Sequence, residues 1–241
     1  MNWDISDVIR QTLRSFRNNW LALVIGNLVA SLISFLPVGV CGAVVLPPLL
    51  KRVQEPDGGG ELALASALFP LLLSALATIV LTCLFAPALS RMALAAARGQ
   101  KPRVAEVFDF RRAGTFLGAG LLTGLAVIAG LLLLVVPGII VAVALSLVSF
   151  FVVDDPRLGA TDALEASWSA TRGWRLQIFG LMLIAGLVDG LLSTIFKTTA
   201  WLAPLQLALT LAWPPLMTLG LAQVYVRIRP QAPALTEVSA G

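Results

Sequence analysis

Long apolar runs separated by short clusters of charge, glycine and proline set the pattern of this chain. The clearest is the uncharged window 113–153, which as one helix would extend about 60 Å at 1.5 Å per residue, roughly twice the hydrocarbon thickness of a bilayer. It must fold back on itself. Pro137-Gly138 is where the sequence places the hairpin turn, because proline cannot donate to the helical ladder and glycine accepts positive φ. The same reading along the whole chain predicts spans at about residues 20–36, 62–90, 115–136, 139–153, 176–196 and 202–226. They form one transmembrane domain over 1–230, followed by a flexible tail at 231–241.

The polar positions refine this pattern. Ile5, Val8, Ile9, Thr12, Leu13, Phe16 and Trp20 recur at the spacing of one helical face, while Arg10, Arg14 and Arg17 point elsewhere, so residues 3–19 read as an interfacial amphipathic helix. The stretch 101–112, with Val104, Val107 and Phe108, suggests a second short amphipathic helix, and Thr161 is positioned to cap a third over residues 162–172. Span two is expected to continue past the membrane to a Gly99 cap. The loop at residues 51–61, with Gly58, Gly59 and Gly60, reads as the least structured part of the chain. The expected architecture is an all-α membrane protein of six transmembrane helices arranged as three hairpins, each preceded by a short cytoplasmic amphipathic helix. A weak internal repeat accompanies it: laying Trp20 over Trp174 brings Ser15 over Ser169 and Gly26 over Gly180.

Composition supports the membrane class, since 12% of residues are charged and 58% hydrophobic, against about 25% charged in soluble domains. Charge then orients the spans. With the amino terminus inside, fourteen of the seventeen Lys and Arg fall on cytoplasmic segments, so both termini are expected inside. This clustering explains the basic excess through topology and gives no reason to expect a nucleic-acid partner. Asp4 and Asp7 among the early basic residues, and no short apolar core before a small-residue cleavage site, argue against a removable signal peptide.

Histidine is absent, which removes the commonest general base and metal ligand, and Cys41 and Cys83 lie in separate apolar runs without metal-ligand spacing. No catalytic centre, metal site or cofactor is therefore expected.

An ordered set of short motifs carries a family resemblance. Gly99-Gln100-Lys101-Pro102, Pro137-Gly138-Ile139-Ile140, Val153-Asp154-Asp155-Pro156, Ala163-Leu164-Glu165-Ala166-Ser167-Trp168 and Thr171-Arg172-Gly173-Trp174 occur in that order. Together they resemble the bacterial families of uncharacterised polytopic integral membrane proteins that include the membrane domain fused to some glycerophosphoryl diester phosphodiesterases. The motifs cover roughly a third of the chain, and the flanks match only as generic spans. The resemblance implies a six-helix fold in a bacterial inner membrane. It brings no catalytic residue, because this chain has neither the phosphodiesterase domain nor any histidine.

Candidate polar sites follow from position. Asp154 and Asp155 sit at the carboxyl end of span four, where the helix dipole disfavours negative charge. Pairing with Arg172, Arg175, Arg111 or Arg112 is the simplest compensation, making a clamp between span four and the 161–174 helix; a cation or lipid-headgroup site is the alternative. Asp189 is the acid inside a predicted span, beside Gly186 and Gly190, and reads either as an ion- or proton-handling residue or as an outer-vestibule residue two turns from Lys197. Gly114, Gly118, Gly120 and Gly124 offer close helix packing. Lys101, Arg103, Arg111 and Arg112, flanked by Phe108 and Phe110, are candidate contacts for anionic lipid headgroups. Asn27, Gln206 and Gln223 are expected to make interhelical hydrogen bonds, and Pro214-Pro215 to kink the last span.

The expected function is non-enzymatic: an inner-membrane scaffold that organises membrane lipids or partner proteins, with a homo-oligomer or membrane partner in view. The alternative is a small-molecule or ion transporter or channel using Asp189 and the kinked last helix.

Overall fold

The computed structural model describes residues 5–54, 60–110, 112–197 and 203–229. Helix accounts for 89% of them, and no strand occurs among the described residues. Six helical segments are long and apolar enough to cross a membrane: Ile5–Lys51, Ala65–Ala97, Ala113–Leu133, Val135–Asp154, Arg175–Thr194 and Ala208–Ile228. The start of the 3–19 segment, the centre of the 51–61 loop, Arg111 and the expected tail 231–241 lie outside the described residues.

The first helix, α1 (Ile5–Gln54), is one 50-residue rod about 75 Å long, continuous through Pro37, Pro47 and Pro48. The amphipathic segment is therefore collinear with the first span instead of forming a separate interfacial helix. The reason is local: neither glycine nor proline occurs between Ile5 and Gly26, so nothing interrupts the ladder. Its apolar face is covered by protein in part, with Leu13 and Trp20 left more than half exposed. Val8 and Thr12 are buried, and the last helix, α8 (Ala203–Ile228), reaches across with Gln223 Nε2 donating to Ser15 Oγ at 3.2 Å and Arg227 Nη2 to Gln11 Oε1 at 2.8 Å.

Helix α2 (Gly60–Ala97) packs along α1 and stops at Gly99, whose φ of +76° is the left-handed cap expected there. Beyond it the expected second amphipathic helix is reduced to a single 3-10 turn, Val104–Phe108. Three contacts hold that turn to the protein. Val107 is fully buried, Arg91 pairs with Asp109 at 2.9 Å, and Phe85 meets the ring of Phe110 edge-on at 5.5 Å between centroids.

Helices α3 (Ala113–Leu133) and α4 (Val135–Ala144) are separated by Leu134 alone, in extended backbone. The expected break at Pro137-Gly138 is thus displaced by three residues. Pro137 occupies the first turn of α4, where a missing N–H has no ladder partner to disappoint, so it starts the helix instead of ending one. Gly138 serves close approach: a Cβ there would lie 2.8 Å from the Leu131 nitrogen, and one at Gly130 would lie 2.9 Å from Gly138 Cα. Of the four glycines expected to pack span three, Gly118 alone would bring a Cβ near a neighbour, Ala160 at 3.5 Å.

The fourth apolar segment is broken. Its helix stops at Ala144, passes through residues 145–147 and resumes as α5 (Val148–Asp154). The Val148 N–H bonds Leu145, so the Ala144 carbonyl turns to side chains: Ser167 Oγ donates to it at 2.8 Å and Thr171 Oγ1 at 3.3 Å. Ser167 sits in α6 (Ala160–Ala170), which runs from Gly159 and ends just before Thr171; both hydroxyl residues are fully buried. A comparable repair occurs in α8, where Pro215 cannot donate to the Leu211 carbonyl and buried Asn27 of α1 does so at 3.3 Å.

The main core gathers around α5, with Leu147, Phe150, Val152, Ala163, Ile178 and Tyr225 among its members. Away from it the helices present apolar surface outward: Leu132, Leu133 and Leu176 are each more than three-quarters exposed. The penultimate helix, α7 (Arg175–Lys197), continues that outward face.

Candidate functional site

Two carboxylates anchor the polar chemistry of the described residues, and the fold treats them separately. Asp154 is the last residue of α5, and its side chain is 8% exposed. Oδ2 accepts from Arg98 Nη2 at 2.8 Å and from the Tyr225 hydroxyl at 2.9 Å, and it pairs with Arg229. Each donor arrives from a different place: Arg98 follows α2, Tyr225 lies in α8, and Arg229 stands one residue beyond it. Tyr225 is positioned by aromatic packing against Phe150 and Phe151, at 5.6 and 4.9 Å between centroids. Burial, and after it the charge of Arg98, push the Arg229 guanidinium below its ordinary value; the Asp154 carboxylate offsets that cost.

Arg112 closes the same end of α5 by a different route. Its guanidinium donates to the Val152 carbonyl in the last turn of α5 and to the Asp155 and Leu158 carbonyls of the loop that follows, tying the helix end to that loop. Asp155 keeps a local role: its Oδ1 accepts the Arg157 N–H at 3.0 Å.

These contacts correct the expected pairing. Asp154 meets Arg98 and Arg229 instead of Arg172, Arg175 or Arg112, and it ties α5 to α2 and α8 instead of to the 161–174 helix. Arg175 stacks over the Trp168 ring at 4.3 Å and donates to the Trp168 carbonyl. Arg172 is exposed, and its side chain has no partner among the described residues. The 161–174 segment is attached instead through Ser167 and Thr171 to Ala144. Sequence reading missed Arg98, Tyr225 and Arg229 as one group because 56 and 71 residues separate the first two from Asp154. One signal was available: Tyr225, the single tyrosine of the chain, stands four residues before Arg229 and shares its helical face.

Asp189 occupies the second site. It is exposed in α7 and lines a groove of about 350 Å³ between α7, α8 and the start of α1. Trp213, Leu216 and Met217, flanking the Pro214-Pro215 pair, form the opposite wall, so the groove joins the acid and the proline-bearing helix that the sequence had singled out separately. Thr12 completes the lining; its hydroxyl is buried and has no hydrogen-bond partner among the described residues. Gly186 and Gly190 would meet no neighbour if given a Cβ, so this face of α7 is open instead of closely packed. The side chain of Lys197, expected near Asp189, lies outside the described residues.

Lys101 and Arg103 are exposed beside Phe108, itself 56% exposed. No group of three or more His, Cys, Asp or Glu side chains is placed to hold a metal ion among the described residues.

Among the described residues the fold is all-helical, with six helices long and apolar enough to span a membrane. The chain belongs to the family described as Domain of unknown function (DUF7847), which matches residues 104–228, just over half of its length. No curated protein and no solved structure matches the chain. The matched region contains Asp154, Asp189 and Tyr225, whereas Thr12, Arg98 and Arg229 lie outside it.

Proposed function

We propose that this is a multi-pass protein of a bacterial cytoplasmic membrane, with its six spans arranged as three hairpins and both termini inside, and that it acts as a non-enzymatic scaffold for lipids or partner proteins. The observation carrying this reading is the Asp154 cluster. Its carboxylate oxygen is engaged by three donors of the same chain, which suits a clamp joining separate helices better than a reacting group. Lys101 and Arg103 are exposed, and Phe108 and Phe110, a few residues on in the chain, are exposed as well. Cations beside aromatic rings fit an anionic headgroup surface, each cation adding about 1 kcal/mol. Kinship with the membrane domain fused to glycerophosphoryl diester phosphodiesterases is proposed on the ordered motifs alone.

The test is lipid retention by the full chain purified in nanodiscs of mixed phosphatidylglycerol and phosphatidylcholine. Enrichment of phosphatidylglycerol, reduced several-fold by Lys101→Gln with Arg103→Gln, is expected; equal retention of both lipids overturns the lipid-organising role. Thiol labelling of single-cysteine variants from each side of the membrane tests the orientation, with position 101 reacting from the cytoplasm.

A second reading, transport of a small molecule or ion, is favoured by one observation: the groove brings Asp189 together with Trp213 and the Pro214-Pro215 pair. Flux into proteoliposomes that is lost in Asp189→Asn is its expected signature.

A further inference from the structure

The groove beside Asp189 has a composition that selects a ligand. Its volume of about 350 Å³ falls within the range of small-molecule sites, and its lining side chains are apolar except for the Asp189 carboxylate, the Thr12 hydroxyl and the indole N–H of Trp213. No Lys or Arg lines it among the described residues. Asp189 has no hydrogen-bond or ion-pair partner among the described residues, although a carboxylate in an apolar segment is expensive unless something neutralises it. Thr12 is 6% exposed with its hydroxyl unpartnered, a second polar group held ready without an internal use. Trp213 adds an aromatic surface to the same groove, and aromatic faces attract cations.

From these observations we infer that the groove binds a lipophilic monocation, an apolar molecule carrying one amine or other cationic centre, with the charge held by Asp189 and the apolar body lying against Leu216 and Met217. A free small cation fits better than a phospholipid amine, because a lipid phosphate entering the groove would meet a carboxylate and no basic side chain. An anion of the same shape is excluded by the same charge. The inference rests on the groove invoked for the second reading above, but requires binding alone and no movement of ligand.

The experiment is equilibrium dialysis of the full chain in uncharged detergent against tetraphenylphosphonium, with tetraphenylborate as a probe of nearly the same shape and opposite charge. Saturable binding of the cation at least tenfold tighter than that of the anion is expected. Asp189→Asn should weaken cation binding at least tenfold and erase the discrimination, Asp189→Glu should retain most of it, and Thr12→Val should weaken it several-fold. Gly186→Leu, which fills the groove while leaving the carboxylate, should abolish binding of the probe. Thermal unfolding of each variant separates lost binding from lost folding; Asp189 has no hydrogen-bond or ion-pair partner among the described residues, and a Cβ at Gly186 would meet no neighbour within 4 Å. Equal binding of both probes, or cation binding unchanged in both Asp189→Asn and Gly186→Leu, overturns the inference. Binding without flux in proteoliposomes upholds it and removes transport, whereas Asp189-dependent flux with no tetraphenylphosphonium binding removes it and leaves transport standing.

Discussion

Asp154 has a side chain 8% exposed with three donors on one oxygen, whereas Asp189 is exposed and has no partner among the described residues. Both are aspartates of long apolar segments, Asp154 as the last residue of one and Asp189 in the interior of another. What separates them is the supply of cations from distant parts of the chain. A buried charge with a complete set of donors holds helices together, and its removal leaves the partners stranded. A charge without internal partners stabilises nothing in the fold and is free to meet something from outside. Burial and pairing, taken together, therefore sort structural from ligand-facing acids here.

Substitutions can break this contrast, beginning with the largest effect. Asp154→Ala removes the common acceptor of Arg98, Arg229 and Tyr225; a fully buried pair would lose roughly 3–5 kcal/mol, and the partial exposure of both arginines lowers the expectation to about 2–3 kcal/mol. Thermal or denaturant unfolding in detergent measures it, and a loss below that of Asp189→Asn would reverse the roles assigned to the two acids. Arg112→Met removes the donor that joins the last turn of α5 to the 155–158 loop and should cost about 2 kcal/mol, with proteolysis of the 155–159 loop accelerated in limited-digestion experiments. Tyr225→Phe keeps the ring against Phe150 and Phe151 and deletes one donor, so about 1 kcal/mol is expected from the same unfolding measurement. Asp189→Asn should change stability by less than about 0.5 kcal/mol. A large destabilisation there would reveal an internal partner and end the comparison.

Much of the helical architecture was legible in the apolar runs, because a stretch of about twenty apolar residues satisfies its own backbone as helix whatever surrounds it. Six segments of that kind occur among the described residues, the first of them far longer than expected. The breaks were harder to place. Pro137 and Gly138 looked like a turn, yet proline fits the opening of a helix and glycine fits close approach, and those uses prevailed at Leu134–α4. Pro37, Pro47 and Pro48 lie beyond the expected end of span one at residue 36 and are carried inside α1, while the interruption at 145–147 has neither glycine nor proline to announce it. Its cause is tertiary: Ser167 and Thr171 serve the freed Ala144 carbonyl from a segment more than twenty residues away. The candidate sites show the same division. Asp154 and Asp189 were visible as unusual acids, but Arg98, Arg229 and Thr12 acquire meaning only when helices far apart in sequence meet.

The single residue between α3 and α4 has a consequence for how such a chain would be made. A pair of spans joined by a polar loop requires that loop to be carried through the hydrocarbon, whereas Leu134 and its neighbours are apolar on both sides. The tip of this pair can enter the bilayer without moving a charge across it, and neither helix can be threaded far ahead of the other. In a membrane, α3 and α4 would thus be inserted as one object, so a charge introduced at residue 134 would interfere with biogenesis before it affected the finished fold.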